Sequence, residues 1–340
     1  MAYFEHFDEA FYRASYSDVR TAINTPRSFV SGFEHFSLYG LNERRTQVSP
    51  FFNEGAYLAL YPDVANAVRS GVYRSGVEHF ALRGADEGRY SPIITNDSEQ
   101  IYLQRNPDVV AAVRAGAFRS GYDHFLRKGQ FEGRVPGSFN EQSYLLRNPD
   151  VARVIGVADP TTGVVEFNSG YEHYIRFGQF ENRTLFFSGT SGNDVVTSFG
   201  GSGNTSLVTG VNYVPLSVNP IDYTFRSTGV GEIDTLTGGS ERNQFTLGFG
   251  RSPSNPNPVQ LYVGGGNADY ALIRNFTRGF DTIQLTGSIN DYNQQVSGNN
   301  LTISTRNGND LVAIVEGITS PLSLAGANAV NTTTGVFVIN

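Results

Sequence analysis

The sequence predicts an N-terminal α-helical repeat array of four units, followed by an all-β domain rich in Gly and Asn. Two observations predict this order. Phrases with helix-capping residues recur through the first half, and one His in each phrase is spaced from the next by 44, 45 and 49 residues. The second half has short β-branched runs between glycines and contains 22 of the 38 glycines. We therefore expect domains at residues 1–185 and 186–340.

Four divergent copies of one unit are expected across residues 4–185. Each copy contains a phrase such as SGFEHF (31–36), preceded by a phrase such as NPDV. Ser can cap a helix, and an acidic residue three places later closes a capping box, as with Ser75 and Glu78. Pro in NPDV suits the first helical position. Each unit should form three short helices that are stabilised by burying aromatic faces against neighbouring units.

One His recurs in every unit, which raises a metal-binding or catalytic hypothesis. Stacked units would hold equivalent imidazoles about one repeat apart, too far to share an ion. We therefore expect semi-buried imidazoles hydrogen-bonded to a neighbouring unit, with metal ligation or catalysis as the alternative. The four residues are His35, His79, His124 and His173.

Glycine-rich nonapeptides begin the second half. The pattern GGxGxDxUx builds a parallel β-roll in which turn carboxylates bind calcium. GTSGNDVVT (189–197) is a good copy, GGSGNTSLV (200–208) has Asn and Thr where Asp is expected, and the stretch 229–248 retains one Asp. The alternative is a set of Gly/Asn turns without an ion. The calcium residues expected from these copies are Gly192, Asp194, Gly203, Asn204 and Asp234.

This half resembles the C-terminal region of RTX-type secreted bacterial proteins. Besides the nonapeptides, GNADYALIRNFTRGFDTIQLTGS (266–288) is similar to the I-x-D-F-x4-D-x-I-x-L segment that closes RTX rolls, with Asn275 in place of the usual Asp. Asp281 matches that segment and joins the expected calcium residues. The GNADYA start resembles cyanobacterial members, and the helical units resemble NPDV…SGxEHY repeats found beside RTX segments in bacterial surface proteins. The fold implied is a degenerate RTX β-roll.

The resemblance implies type I secretion to the cell surface or the extracellular space. Such proteins have few or no Cys, no N-terminal signal peptide and an uncleaved C-terminal signal. This chain has no Cys, a start without basic and apolar stretches, and the tail TTTGVFVIN (332–340). A net charge of −7 argues against nucleic acid as a partner. No apolar run is long enough to span a membrane.

The leading functional hypothesis is a non-enzymatic surface or matrix protein that self-associates into an oligomer, filament or layer, with calcium as its cofactor. A repeat array offers a continuous surface, and sheet edges can pair. The alternative is an adhesion module for polysaccharide or protein, because 25 Phe and 18 Tyr can supply stacking platforms. An enzyme is not expected, since the sequence lacks HExxH, GxSxG and P-loop motifs.

Overall fold

The computed structural model describes residues 7–23, 25, 29–85, 87–89, 96–161, 163–201 and 203–340. A helical N-terminal region with about four repeated units precedes a strand-rich region, which confirms the predicted order. The chain forms two compact units. The helical unit contains residues up to 136 and 153–176, and the strand unit contains 137–152 and 177–340. The compositional boundary at residue 185 stays a prediction.

Three short helices recur in each repeat. The first three repeats each end their third helix in a π-helical turn: Phe36–Gly40, Phe80–Gly84 and Phe125–Gly129. The helices are α1 Glu9–Ser15, α2 Ser17–Ala22, α3 Gly32–His35, α4 Glu54–Leu60, α5 Pro62–Arg69, α6 Gly76–His79, α7 Asn96–Arg105, α8 Pro107–Arg114, α9 Gly121–His124, α10 Glu141–Arg147, α11 Pro149–Ala152 and α12 Gly170–Arg176.

The predicted capping residues begin these helices. The Asn53 side chain accepts a hydrogen bond from the Ala56 backbone N–H at 2.9 Å, at the start of α4. Ser75 caps α6 in the same way, accepting from the Glu78 N–H at 3.0 Å. The reciprocal bond differs from a capping box, because the Glu78 carboxylate accepts from the N–H of Arg74, the residue before the cap. The acidic position of each phrase therefore fixes the chain one residue further upstream than expected.

Aromatic side chains from different repeats share the core of the helical unit. Phe51 packs edge-on against Phe125, with 5.1 Å between ring centroids, and parallel to Tyr171 at 5.7 Å. The Arg176 guanidinium lies 5.7 Å from the ring centroid of Phe11 in the first repeat. The short helices are thus held by contacts between repeats, since helices of this length are marginal alone.

The strand unit contains sixteen strands within the described residues. They are β1 Thr184–Ser188, β2 Val195–Thr197, β3 Thr205–Thr209, β4 Tyr213–Val218, β5 Ile221–Phe225, β6 Ile233–Thr237, β7 Arg242–Thr246, β8 Gly248–Phe249, β9 Val259–Gln260, β10 Tyr270–Arg274, β11 Thr282–Thr286, β12 Tyr292–Ser297, β13 Asn300–Thr305, β14 Leu311–Glu316, β15 Val330–Asn331 and β16 Val336–Ile339.

Successive strands alternate between two six-stranded sheets. The first sheet has the order β1-β3-β7-β11-β16-β15, and the second has the order β12-β13-β14-β10-β6-β2. The strands β1, β3, β7 and β11 are parallel, as are β2, β6, β10 and β14. The remaining strands of both sheets are antiparallel. Both sheets are open, with β12 and β2 at the edges of the second sheet.

Alternation along each strand places one apolar row inside each sheet. The side chains at these positions are buried and come from equivalent points of neighbouring strands. Val196, Leu236, Ile273 and Val315 form the row of the second sheet, and Val208, Phe245, Ile283 and Ile339 form the row of the first. Within the described parts of the chain, no helix is long and apolar enough to cross a membrane.

Candidate functional site

Two predicted calcium residues, Asp194 and Asp234, lie side by side on neighbouring strands of the second sheet. Only 2% and 0% of their surfaces are exposed. The Asp194 backbone N–H donates to Oδ1 of Asp234 at 2.8 Å, and the Tyr262 hydroxyl donates to Oδ2 of Asp234 at 2.6 Å. Oδ2 of Asp194 accepts from the Thr190 N–H at 2.6 Å. These carboxylates therefore join adjacent strands and close a turn.

The other predicted side-chain ligands, Asn204 and Asp281, belong to turns that enter the first sheet. Asp281 accepts from the Thr277 N–H at 2.8 Å and, through its other oxygen, from the Asn243 N–H at 2.7 Å. Asn204 accepts from the Gly201 N–H at 2.7 Å. The structure gives these residues the same turn-closing role but places them in a different sheet from the Asp194–Asp234 pair.

The two predicted glycines are required by the turn backbone. Gly192 has φ +118°, a conformation that side-chain-bearing residues rarely adopt. At Gly203, a Cβ atom would lie 1.9 Å from the side-chain oxygen of Asn182. Both positions thus need Gly for the fold itself.

Sequence reasoning missed two buried acidic residues, Glu232 and Asp269, on the paired strands β6 and β10 and their leading turns. Oδ2 of Asp269 accepts from the N–H groups of Gly265 at 3.1 Å and Gly231 at 3.2 Å. Its Oδ1 and the Oε2 of Glu232 are buried without a hydrogen-bond partner. The signal for Asp269 was present, because GGGNADYAL (264–272) is a nonapeptide with Asp at the expected position.

Burial controls the protonation of this region. It raises the pKa of Asp234 to about 7, while hydrogen bonds from Tyr262 and Asp194 act in the opposite direction. The negative charges of Asp194 and Glu232 raise the same pKa further. Near neutral pH, Asp234 is therefore partly protonated unless a positive charge compensates it.

The described residues contain no group of three or more His, Cys, Asp or Glu side chains that could hold a metal ion. Four residues in the described part of the chain each have one buried carboxylate oxygen without a hydrogen-bond partner, which is costly: Glu232, Glu241, Asp269 and Asp310. Carboxylate oxygens are hard ligands that suit calcium, with carbonyls and water completing the shell. Asp194, Asp234 and Asp281 already accept N–H or O–H donors.

The four repeated His side chains are buried, and those of the first three repeats bond to a Tyr of their own repeat. In the second repeat, Nδ1 of His79 lies 3.0 Å from the Tyr57 hydroxyl. The expected partner in a neighbouring unit is wrong here, because the Tyr comes from the opening helix of the same repeat. Burial lowers the pKa of His79, which favours the neutral imidazole. The same pairs are Tyr12 with His35 at 2.9 Å and Tyr102 with His124 at 2.8 Å.

An arginine connects the remaining phrases of each repeat. Arg89 forms a bidentate pair with Asp63, at 2.6 and 2.9 Å, and a third bond with Glu87 at 2.6 Å. Its guanidinium also lies 4.8 Å from the centroid of the Tyr61 ring. The carboxylate of Glu87 is 3.7 Å from Nε2 of His79. The conserved spacing within the repeats therefore specifies a structural network.

Comparison with protein-family models gave no match, and no curated protein matched the chain. The RTX resemblance stays a prediction.

Proposed function

We propose that this chain is a non-enzymatic extracellular structural protein that associates with copies of itself through the edge of its second sheet. β12 forms that edge and pairs with β13 on one side only. Its sequence, YNQQVS, has no charged residue and no Pro, which are common protections of an edge strand. Val296 on this strand is 37% exposed. The Gln294 side chain of β12 exchanges hydrogen bonds with the Leu322 backbone at 3.0 and 2.8 Å, so the strand is not bare along its whole length. The lack of charge and Pro along this edge strand is the observation that carries the proposal.

The finer architecture we propose is a degenerate β-roll of the RTX type. The regular alternation of parallel strands between two sheets supports it, as do the Asp and Asn side chains that close the turns. The hairpin β4–β5 interrupts the series, and antiparallel strands end both sheets. A roll of this kind, stacked end to end or edge to edge, would extend into a fibre or layer.

Calcium is the ion we propose for the strand unit. The residues that would hold it are Glu232 and Asp269, with their buried unpartnered oxygens, beside the predicted pair Asp194 and Asp234. A bound cation would oppose the burial and, to a smaller extent, the repulsion from Asp194 and Glu232 that raise the pKa of Asp234. Extracellular calcium is concentrated enough to fill weak sites of this kind.

We also propose that the chain is exported by a type I route, with the tail 332–340 as its signal. Val336–Ile339 forms β16, which pairs antiparallel with β11. The tail would then act as a signal before folding and as a strand afterwards. Export of the chain to the medium by a type I exporter supports this, and equal export of a chain lacking residues 332–340 contradicts it.

Light scattering and electron microscopy of the full chain test the assembly proposal. We expect particles or fibres that grow with protein concentration, and growth that is stronger in calcium than in chelator. A stable monomer at high concentration in both conditions would contradict self-association. Assembly that is equal in calcium and in chelator would support self-association but contradict the calcium site, so that the carboxylates would only close turns.

A further inference from the structure

A cavity of about 310 Å³ lies within the strand unit, over one face of the first sheet. Its floor is built from residues that alternate with the buried apolar row: Thr209 follows Val208, and Thr246 follows Phe245. The hairpin β4–β5 contributes one wall. The volume falls at the lower end of the range, about 300–1,000 Å³, that small-molecule sites occupy.

Threonine and glutamine side chains form an uncharged polar part of the cavity floor, beside the apolar side chains of Phe186 and Leu207. The hydroxyls of three lining threonines are buried without a hydrogen-bond partner: Thr209, Thr246 and Thr334. Two amides lie beside them, with Nε2 of Gln244 donating to Oε1 of Gln284 at 3.1 Å. Buried hydroxyls normally have partners, and a rotation of these threonine side chains would turn their unpaired hydroxyls toward the cavity, where a ligand could bond them.

Aromatic rings form the walls. Tyr213 and Tyr223 flank Phe249, with ring centroids 5.2 and 5.0 Å apart. The Tyr213 hydroxyl is 2.9 Å from the Ser143 hydroxyl on α10, and the Tyr223 hydroxyl donates to the Gly250 carbonyl. The rings are therefore held in place before any ligand arrives, and rigid aromatic walls with a few polar groups are typical of small-molecule sites.

The opening carries positive charge. Arg147 and Arg251 line it, and among the described residues neither forms an ion pair with a carboxylate. Asp222 is the one acidic lining residue in the described set, and its oxygens accept from the Ser252 and Ser254 hydroxyls and the Ser254 N–H. Nη1 of Arg251 donates to the carbonyls of Thr332 at 3.5 Å and Thr333 at 3.4 Å. Its other N–H groups and the Arg147 guanidinium can still meet an anionic group, and the two positive charges outnumber the one negative charge of Asp222.

We propose that this cavity binds one acidic sugar unit, such as a uronic acid residue of a polysaccharide. The apolar face of the sugar ring packs on the aromatic wall, its hydroxyls pair with the threonine and glutamine floor, and its carboxylate meets Arg147 and Arg251. This goes beyond the structural role proposed above, because it assigns a ligand to a cavity over the first sheet, whereas β12 is the edge of the second sheet. Binding would let an assembled layer hold a surface polysaccharide.

Calorimetric titration of the full chain with a glucuronic acid oligosaccharide and a glucose oligosaccharide of equal length tests the proposal. We expect the acidic sugar to bind about tenfold more tightly or better, a difference of about 1.4 kcal/mol. Its affinity should also fall as salt is added. Binding of neither sugar, or equal binding of both, would overturn the proposal.

Matched variants locate the site. Thr246→Val removes one hydroxyl at nearly constant shape and should weaken sugar binding at least about fivefold, whereas Thr235→Val on β6 should leave it unchanged. Arg251→Gln should reduce the affinity for the acidic sugar to that for the neutral one. If folded Thr246→Val and Arg251→Gln proteins both bind like the parent, the cavity is not the site. A chain with Val296→Lys should still bind, which separates this proposal from self-association.

Discussion

The hydroxyl of Tyr57 lies 3.0 Å from Nδ1 of His79 and passes directly over Gly84. A Cβ atom on Gly84 would sit 2.3 Å from that hydroxyl oxygen. The Tyr, the His and the Gly of each repeat therefore specify one contact. The same close approach occurs at Gly40 with Tyr12 and at Gly129 with Tyr102.

Replacing this glycine should destabilise the helical unit. Gly84→Ala forces the Tyr57 ring away from His79, and overpacking of this kind costs about 1–3 kcal/mol. Gly55→Ala is the matched control, since a Cβ atom there has only an ordinary contact at 3.6 Å within α4. It should raise stability by about 0.5–1 kcal/mol. Denaturant unfolding, followed by the helical signal in circular dichroism, gives the unfolding free energy of each variant. Equal changes in the two variants would contradict the close contact between Tyr57 and Gly84.

The buried imidazoles should make the Tyr–His contact sensitive to acid. Burial lowers the pKa of His79 below its ordinary value of 6.5, so its stabilisation is complete above that pH and is lost as the pH falls. His79→Gln should therefore cost about 1–2 kcal/mol at pH 7.5 and less at pH 5. Unfolding free energies at both pH values test this. A penalty that is the same at pH 5 and 7.5 would show that imidazole protonation does not matter.

A second pH effect has the opposite sign. Burial, followed by the charge of Asp8, raises the pKa of Glu172 to about 7, and burial also raises the pKa of Asp8. Stability from these protonated acids is present at low pH and is lost as the pH rises from about 4 to 7. Asp8→Asn keeps the cap that accepts from the Phe11 N–H, as Asn53 does in the next repeat. It should stabilise the chain by about 1 kcal/mol at pH 7.5 and little at pH 4.

The result that contradicts this assignment is a loss of stability at pH 7.5 in the Asp8→Asn chain. Such a loss would mean that the attraction between Asp8 and Arg176 outweighs both burial and the repulsion from Glu172. Thermal unfolding at the two pH values distinguishes the outcomes.

Calcium should raise the unfolding temperature of the strand unit through Asp269. Ligand binding to the folded state adds about 2.7 kcal/mol at a calcium concentration 100 times the dissociation constant. Asp269→Asn should abolish most of that gain, because it removes a charged ligand. Asp159→Asn, at an exposed turn of the helical unit, is the control and should retain the gain. If calcium raises the unfolding temperature of both variants equally, Asp269 is not part of the proposed site.

Local chemistry made the helical repeats predictable, because caps and helix starts depend on neighbouring residues. Asn53 and Ser75 cap as expected. The partner of His79 was not predictable, since Tyr57 lies 22 residues upstream and only packing brings it close. In the strand unit, the turn role of Asp194 follows from the nonapeptide. The same pattern also places Asp269 at the acidic position of a nonapeptide, although the expected calcium residues did not include it.

The cavity could not be predicted from the sequence. The stretch 211–229 is recognisable only as an interruption of the nonapeptides, whereas its fold over the first sheet depends on long-range contacts. Ser143 on α10 meets Tyr213 across 70 positions, and Asp222 holds the loop at Ser254 across 32. Periodicity reports which face of a strand is buried but not which segment covers it.

The most direct test of the structural role is the particle size of the full chain carrying Val296→Lys, measured by light scattering in calcium. Lys at position 296, the fifth of the six residues of β12, opposes strand pairing at this edge, so this variant should remain monomeric while the parent assembles. Val230→Lys is the matched control, because Val230 is 53% exposed in a turn away from the edge, and it should assemble like the parent. Assembly of the Val296→Lys chain to the same size as the parent would contradict association through β12.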